Sequence, residues 1–84
     1  MVTPKKVETV KFEYEGMEFE AVKSELESYK TNKQLNLGGS GFYLAVSRLF
    51  AGRDEEYAEK VGGTHAAFNA LVNAAFAENA KAKN

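Results

Sequence analysis

The chain has no cysteine, no tryptophan, one histidine and one proline among its 84 residues. Without thiols there is neither a disulfide framework nor a thiolate metal site, so the fold must hold by packing alone, as suits a reducing compartment. His65 stands one residue after Thr64, a candidate helix cap, and as a general base it would need a nucleophile and an orienting partner that no motif supplies. Its plainer reading is a solvated first-turn residue. Net charge is also missing. Eleven Lys and Arg against twelve Asp and Glu leave −1, so nothing draws the chain as a whole to phosphate backbones or anionic lipid. No apolar run approaches the ~18–20 residues of a membrane span, and Met1 to Lys6 precede a strand pattern rather than an apolar signal segment. The expectation is a single domain that is neither exported nor membrane-bound, with no cofactor, no metal and no nucleic acid.

What is present begins with alternation. The stretch V-K-F-E-Y-E-G-M-E-F-E-A-V, Val10 to Val22, places apolar and charged residues in strict turn on both sides of Glu15-Gly16. That is the period of strands with one buried face. With Glu15-Gly16 as a two-residue loop, Tyr14 faces Met17, Phe12 faces Phe19 and Val10 faces Ala21. All of them then share one side, with Lys11/Glu20 and Glu13/Glu18 on the other. A slip by one residue would expose both phenylalanines. An isolated hairpin is marginal in water, so this one must lie on the rest of the chain.

The remainder reads as helices. Ser24 and Glu27 have capping-box spacing and predict a first helix from Glu25, with Leu26 and Tyr29 on one face, fading by Lys33 to Leu35. Leu37-Gly38-Gly39-Ser40-Gly41 then breaks regular structure. Ser40 caps a second helix from Gly41 to about Ala51, with Phe42, Ala45, Val46, Leu49 and Phe50 at core-facing intervals. Asp54 caps a third helix through Lys60, turning Tyr57, Ala58 and Val61 inward, and Gly62-Gly63 stop it. Thr64 opens a fourth, where Phe68, Leu71, Val72, Ala75 and Phe76 repeat the spacing and Lys81 and Lys83 suit the negative helix pole. The predicted fold class is α+β: an N-terminal two-stranded antiparallel β-hairpin packed on a cluster of three to four short α-helices. Residues 1–6 form a flexible arm, 7–23 the hairpin and 24–84 the helical cluster.

No catalytic or ligand-binding motif survives inspection. Gly38-Gly39-Ser40-Gly41 precedes a helix, as phosphate loops do, but Phe42 follows where a P-loop needs Lys, and no G-x-G-x-x-G run exists. Glu13, Glu18 and Glu20 belong to the wet face of a sheet. Asp54-Glu55-Glu56 fit a helix first turn without a metal, and no calcium-loop pattern is present. Two surfaces carry more. Ala66, Ala70 and Ala77 line up opposite the core stripe of the last helix, flanked by Ala67, Ala74 and Asn73. Alanine is simply the best helix former, yet a smooth face also admits a second helix at close range. Tyr43 and Leu44 lie off the core stripe of the second predicted helix, either covered by the first helix or free to anchor a partner. Tyr43, Leu44, Ala66, Ala70, Asn73 and Ala77 are the candidate partner-binding site.

In order and spacing, the chain from Val7 onward resembles the small tail assembly chaperones of long-tailed bacteriophages and prophages. Phe12, Tyr14, Gly16 and Phe19 fill that family's aromatic hairpin pattern. Ser28-Tyr29-Lys30 fill its short aromatic helix start, and Leu49, Phe50, Gly52, Asp54 and Glu55 its helix-ending segment. The glycine-rich stretch Asn36 to Gly41 departs from the pattern. The resemblance implies a non-enzymatic protein of the host bacterial cytoplasm, absent from the mature virion. It would coat the long helical tape measure protein and help recruit tail-tube subunits, with self-association possible. It assigns no binding residues. A head-to-tail adaptor or small tail structural subunit fits the same features, differing only in persistence within the particle. A nucleic-acid-binding regulator fits less well, because Lys5, Lys6, Lys11, Lys23, Lys30 and Lys33 are scattered among glutamates.

Overall fold

A computed structural model describes residues 8–82. The chain forms a hairpin, β1 (Thr9–Tyr14) and β2 (Met17–Val22), followed by α1 (Lys23–Leu26), α2 (Tyr29–Leu37), α3 (Gly39–Leu49), α4 (Asp54–Lys60) and α5 (His65–Ala82). The fold is therefore α+β with an N-terminal hairpin, as the alternation predicts. The predicted arm, Met1 to Lys6, together with Val7 and Lys83, lies outside the described residues. Lys23, assigned to the hairpin, opens α1 instead.

The strand register agrees with the sequence reading pair by pair, including Phe12 with Phe19 and Glu13 with Glu18. Glu15 and Gly16 both have positive φ, 51° and 78°, which is the turn whose twist matches flanking strands. Beneath the hairpin, β1 packs on α5 while β2 packs on α1 and α3. Aromatic rings then run edge to face through the core. Phe19 meets Tyr57 at 4.9 Å between centroids, Tyr57 meets Phe50 at 5.2 Å, and Phe50 meets Phe68 at 5.6 Å. Such pairs add about 0.5–1.5 kcal/mol beyond the area they bury. The Tyr57 hydroxyl accepts the Glu20 backbone N–H at 3.3 Å, which satisfies one donor on the open edge of β2.

The first predicted helix is two helices. Ser24 caps nothing: the residue before α1 is Val22, with no side-chain cap. Ser28 is the working cap, its Oγ accepting the Thr31 N–H at 3.2 Å while its own backbone is extended. Asn32 holds the break by donating to the carbonyls of Leu26 at 3.1 Å and Ser28 at 2.8 Å. Tyr29 thereby starts a new helix on its outer side and is 79 % exposed, so it does not share a face with the buried Leu26 as a single helix would have it.

The second helix also differs at its ends. Only Gly38 interrupts the chain between α2 and α3, so helix runs through Leu37 and resumes at Gly39, leaving Ser40 inside the first turn rather than capping it. Helix α3 stops at Leu49, where Gly52 N–H donates to the Ser47 carbonyl at 2.8 Å and Ala51 N–H to that of Arg48 at 3.2 Å. That crossed pair is a Schellman stop. Gly63 and Gly62 repeat it onto Ala58 and Glu59 after α4. Asp54 is the first residue of α4 and Arg53 its cap. Thr64 does cap α5, its Oγ1 accepting the Ala67 N–H at 3.1 Å.

A polar cluster binds α1, α2 and α3. Arg48 reaches Glu25 at 3.3 Å and Thr31 at 3.4 Å, and also donates to Gln34, while the Thr31 hydroxyl donates to Glu25. Thr31 is buried at its centre. Asn79, buried near the end of α5, donates to Glu27 at 3.5 Å.

Candidate functional site

Helix α3 turns Phe42, Ala45, Val46 and Leu49 into the core, which leaves Tyr43 and Leu44 on its outer side. Both are more than half exposed, so cover by the first helix, one of the two readings of Leu44, does not occur. Helix α2 adds Tyr29 and Leu37, eight residues apart and therefore close to one helix face. Among the described residues, the large exposed apolar side chains, Tyr29, Leu37, Tyr43 and Leu44, all fall on the α2–α3 pair. Sequence reasoning found Tyr43 and Leu44 because they break a stripe. It missed Tyr29, which the wrong helix start placed on one face with Leu26, and Leu37, which it placed in a loop.

On α5, Phe68, Leu71, Val72 and Ala75 are buried. Ala66, Asn73 and Ala77 are exposed on the opposite side, while Ala70 is half-buried. Tyr43 stands beside the first turn of α5, its ring 6.3 Å from that of His65, so it lies at the Ala66 end of the alanine face. Asn73 borders a groove of about 390 Å³ between α2 and α5, where Leu35, Phe42, Val72 and Phe76 supply apolar wall and Asn32, Asn36, Asn69 and Asn73 supply amides. Leu44, Ala70 and Ala77 lie outside the lining of that groove. The candidate residues thus occupy two adjoining faces joined at Tyr43, not one continuous patch.

Two smaller clefts flank α4. One, against β2, is lined by Lys11, Arg53 and Lys60 together with Glu18, Glu20 and Glu56. Lys60 pairs with Glu56 at 3.8 Å and lies 5.9 Å from the Phe19 and Tyr57 ring centroids. Arg53, beside the Tyr57 hydroxyl, is pushed further above its already high guanidinium value and stays charged. The other cleft, between α3, α4 and the start of α5, contains His65, whose ring packs 5.1 Å from that of Phe42. Among the described residues, no group of three His, Asp or Glu side chains is placed to hold a metal ion. None of the described helices is long and apolar enough to cross a membrane.

Comparison of the chain with protein families, with curated proteins and with solved structures finds no match.

Proposed function

We propose that this chain is a non-enzymatic tail assembly chaperone of a long-tailed phage or prophage. In this reading it works in the host bacterial cytoplasm, binds the tape measure protein, aids recruitment of tail-tube subunits and leaves before the virion is complete. The observation that carries the reading is the concentration of Tyr29, Leu37, Tyr43 and Leu44 on the outer side of α2–α3, next to a flat alanine face on α5. A long helical partner is suited by such surfaces, since helices dock through apolar side chains at turn intervals and small residues permit close approach. Each contact is weak. Many copies along one extended partner supply avidity without any single strong site.

The test is sedimentation of the chain with recombinant fragments of a tape measure protein, beside variants Leu44→Glu, Ala66→Glu and Ala77→Glu. Exposed positions should keep the wild-type melting temperature while losing co-sedimentation. Ala70→Glu is a harsher probe because that residue is half-buried. If wild type binds no fragment, or the variants bind as well as wild type, the reading fails. If the chain remains in purified particles, the structural-subunit alternative replaces it.

A further inference from the structure

The two edges of the hairpin are not alike. The Lys23 N–H donates to the Glu8 carbonyl at 3.0 Å, so the backbone groups of Glu8 point toward the other strand. In an antiparallel ladder such inward groups recur at every second residue. Those of Val10, Phe12 and Tyr14 therefore lie inside the hairpin, and those of Thr9, Lys11 and Glu13 lie on its outer edge. The same rule turns Glu18, Glu20 and Val22 outward on β2. There the Tyr57 hydroxyl takes the Glu20 N–H, and α4 stands alongside. Nothing equivalent guards β1. Among the described residues, the outward N–H and C=O groups of Thr9, Lys11 and Glu13 have no hydrogen-bond partner. An open edge of this kind is a template for another strand.

We infer that β1 pairs antiparallel with β1 of a second copy of this chain, about a two-fold axis at Phe12, joining two hairpins into one four-stranded sheet. Charge selects this occupant and this register. Lys11 faces Glu13 of the second copy and Glu13 faces its Lys11, and both pairs exchange backbone hydrogen bonds through the groups that are open in the single chain. On the buried side Phe12 faces Phe12 and Val10 faces Tyr14. Moving the axis by one residue would set Lys11 against Lys11 or Glu13 against Glu13. The pairing also supplies what one hairpin lacks, because Glu13 faces Glu18 and has no ion pair among the described residues. Both helical clusters then fall on one side of the joint sheet, and α5, which packs on β1, meets its own copy there. Paired strands are about 4.8 Å apart whereas helix axes need about 8–10 Å, so only small side chains fit between the helices. The flank of α5 turned away from the α2 groove carries the half-buried Ala67, Ala70 and Ala74, ahead of Glu78. The alanines remove an obstacle, and the strand edge supplies the specificity. The pairing stands whether or not the chain binds a tape measure protein.

The experiment follows the full chain across a wide range of concentration, by sedimentation velocity and by amide hydrogen exchange in NMR. The dimer fraction should rise with concentration. The Lys11 and Glu13 amides should gain protection in step with it, while the Glu18 amide on the other edge should not. Lys11→Glu and, separately, Glu13→Lys place like charges at both pairs and should each weaken the dimer several-fold, most at low salt. An equimolar mixture of the two variants restores opposite charges at both pairs and should dimerise again. Lys11→Pro removes an outward N–H without touching the ladder to β2 and should abolish the pairing. Should a variant fail to fold, the concentration dependence of exchange in the wild type decides alone. A wild type that stays monomeric at the highest concentration, or a dimer whose Lys11 and Glu13 amides exchange at the monomer rate, would overturn the pairing. So would single charge variants that dimerise as wild type does, or a mixture no better than its components.

Discussion

The hairpin, residues 9–22, and the α1–α2 segment, residues 23–37, are neighbours of similar length held in place by opposite means. The hairpin is fixed by aromatic burial, with Phe12 and Phe19 pressed into a ring-on-ring core. The α1–α2 segment inserts Leu26 and rests Leu35 against the core, but it is tied mainly by polar groups: Ser28 and Asn32 at the break, and Glu25, Thr31 and Gln34 gathered by Arg48. Burial is non-directional and follows a repeat that can be read along the chain. Hydrogen bonds are directional, and their partners come from wherever the fold brings them.

The comparison breaks most severely at the hairpin. Phe19→Ala removes a ring that is 2 % exposed and should cost about 3–5 kcal/mol, a large share of the roughly 5–15 kcal/mol available to a domain. Phe12→Ala should follow closely behind it. Denaturant unfolding measures both, and a loss below about 1 kcal/mol would remove the aromatic core as the hairpin's anchor.

Arg48→Met attacks the other region. It takes the guanidinium away from Gln34 and from the Glu25 carboxylate, which keeps the hydrogen bond from the Thr31 hydroxyl, and the loss of such a partner costs about 1–3 kcal/mol for fully buried groups. Because the Arg48 and Glu25 side chains are 35 % and 25 % exposed, the lower half of that range is expected. Arg48→Met combined with Glu25→Gln should cost less than the sum of the single changes, since the two share one interaction. Strict additivity in the same melts would show that the cluster is not a unit.

A smaller effect separates the two serines. Ser28→Ala should destabilise by about 1 kcal/mol, the usual value of a lost cap, whereas Ser24→Ala should stay within about 0.5 kcal/mol of wild type. Equal losses at both positions would restore the single-helix reading. The smallest effect is a gain. Glu13 and Glu18 face each other on the wet side of the hairpin, so Glu13→Lys should stabilise by about 0.2–1 kcal/mol, a gain that shrinks as salt is added.

The same contrast explains how much was legible in the sequence. The hairpin register and the inner stripe of α5 follow from periods of two and of 3.6, which need no knowledge of the rest of the molecule. The start of α2 does not. Ser24 and Ser28 are both plausible caps, and the Ser24–Glu27 box loses because Glu25 is held by Arg48 and Glu27 accepts from Asn79, partners far along the chain. On the candidate site, Tyr43, Leu44 and the alanine face are visible as departures from a stripe. Tyr29 and Leu37 are not visible until the helix ends are known.

One residue, Gly38, separates the nine residues of α2 from the eleven of α3. Its φ of 76° and ψ of −160° lie in a region essentially reserved for glycine, and a Cβ there would meet nothing within 4 Å, so the obstacle to any other residue is the backbone alone. Gly38→Ala would penalise the reversal by about 1–3 kcal/mol while improving helix propensity by about 1 kcal/mol. Residues 29–49 would then be drawn toward a single rod roughly 30 Å long. A rod cannot fold Phe42, Val46 and Leu49 back onto its own α1 and hairpin, but it can deliver them to those of a second copy. The reversal therefore rests on two consecutive glycines at positive φ, Gly38 and Gly39, and loss of that hinge should appear as a domain-swapped dimer whose fraction rises with protein concentration in analytical ultracentrifugation.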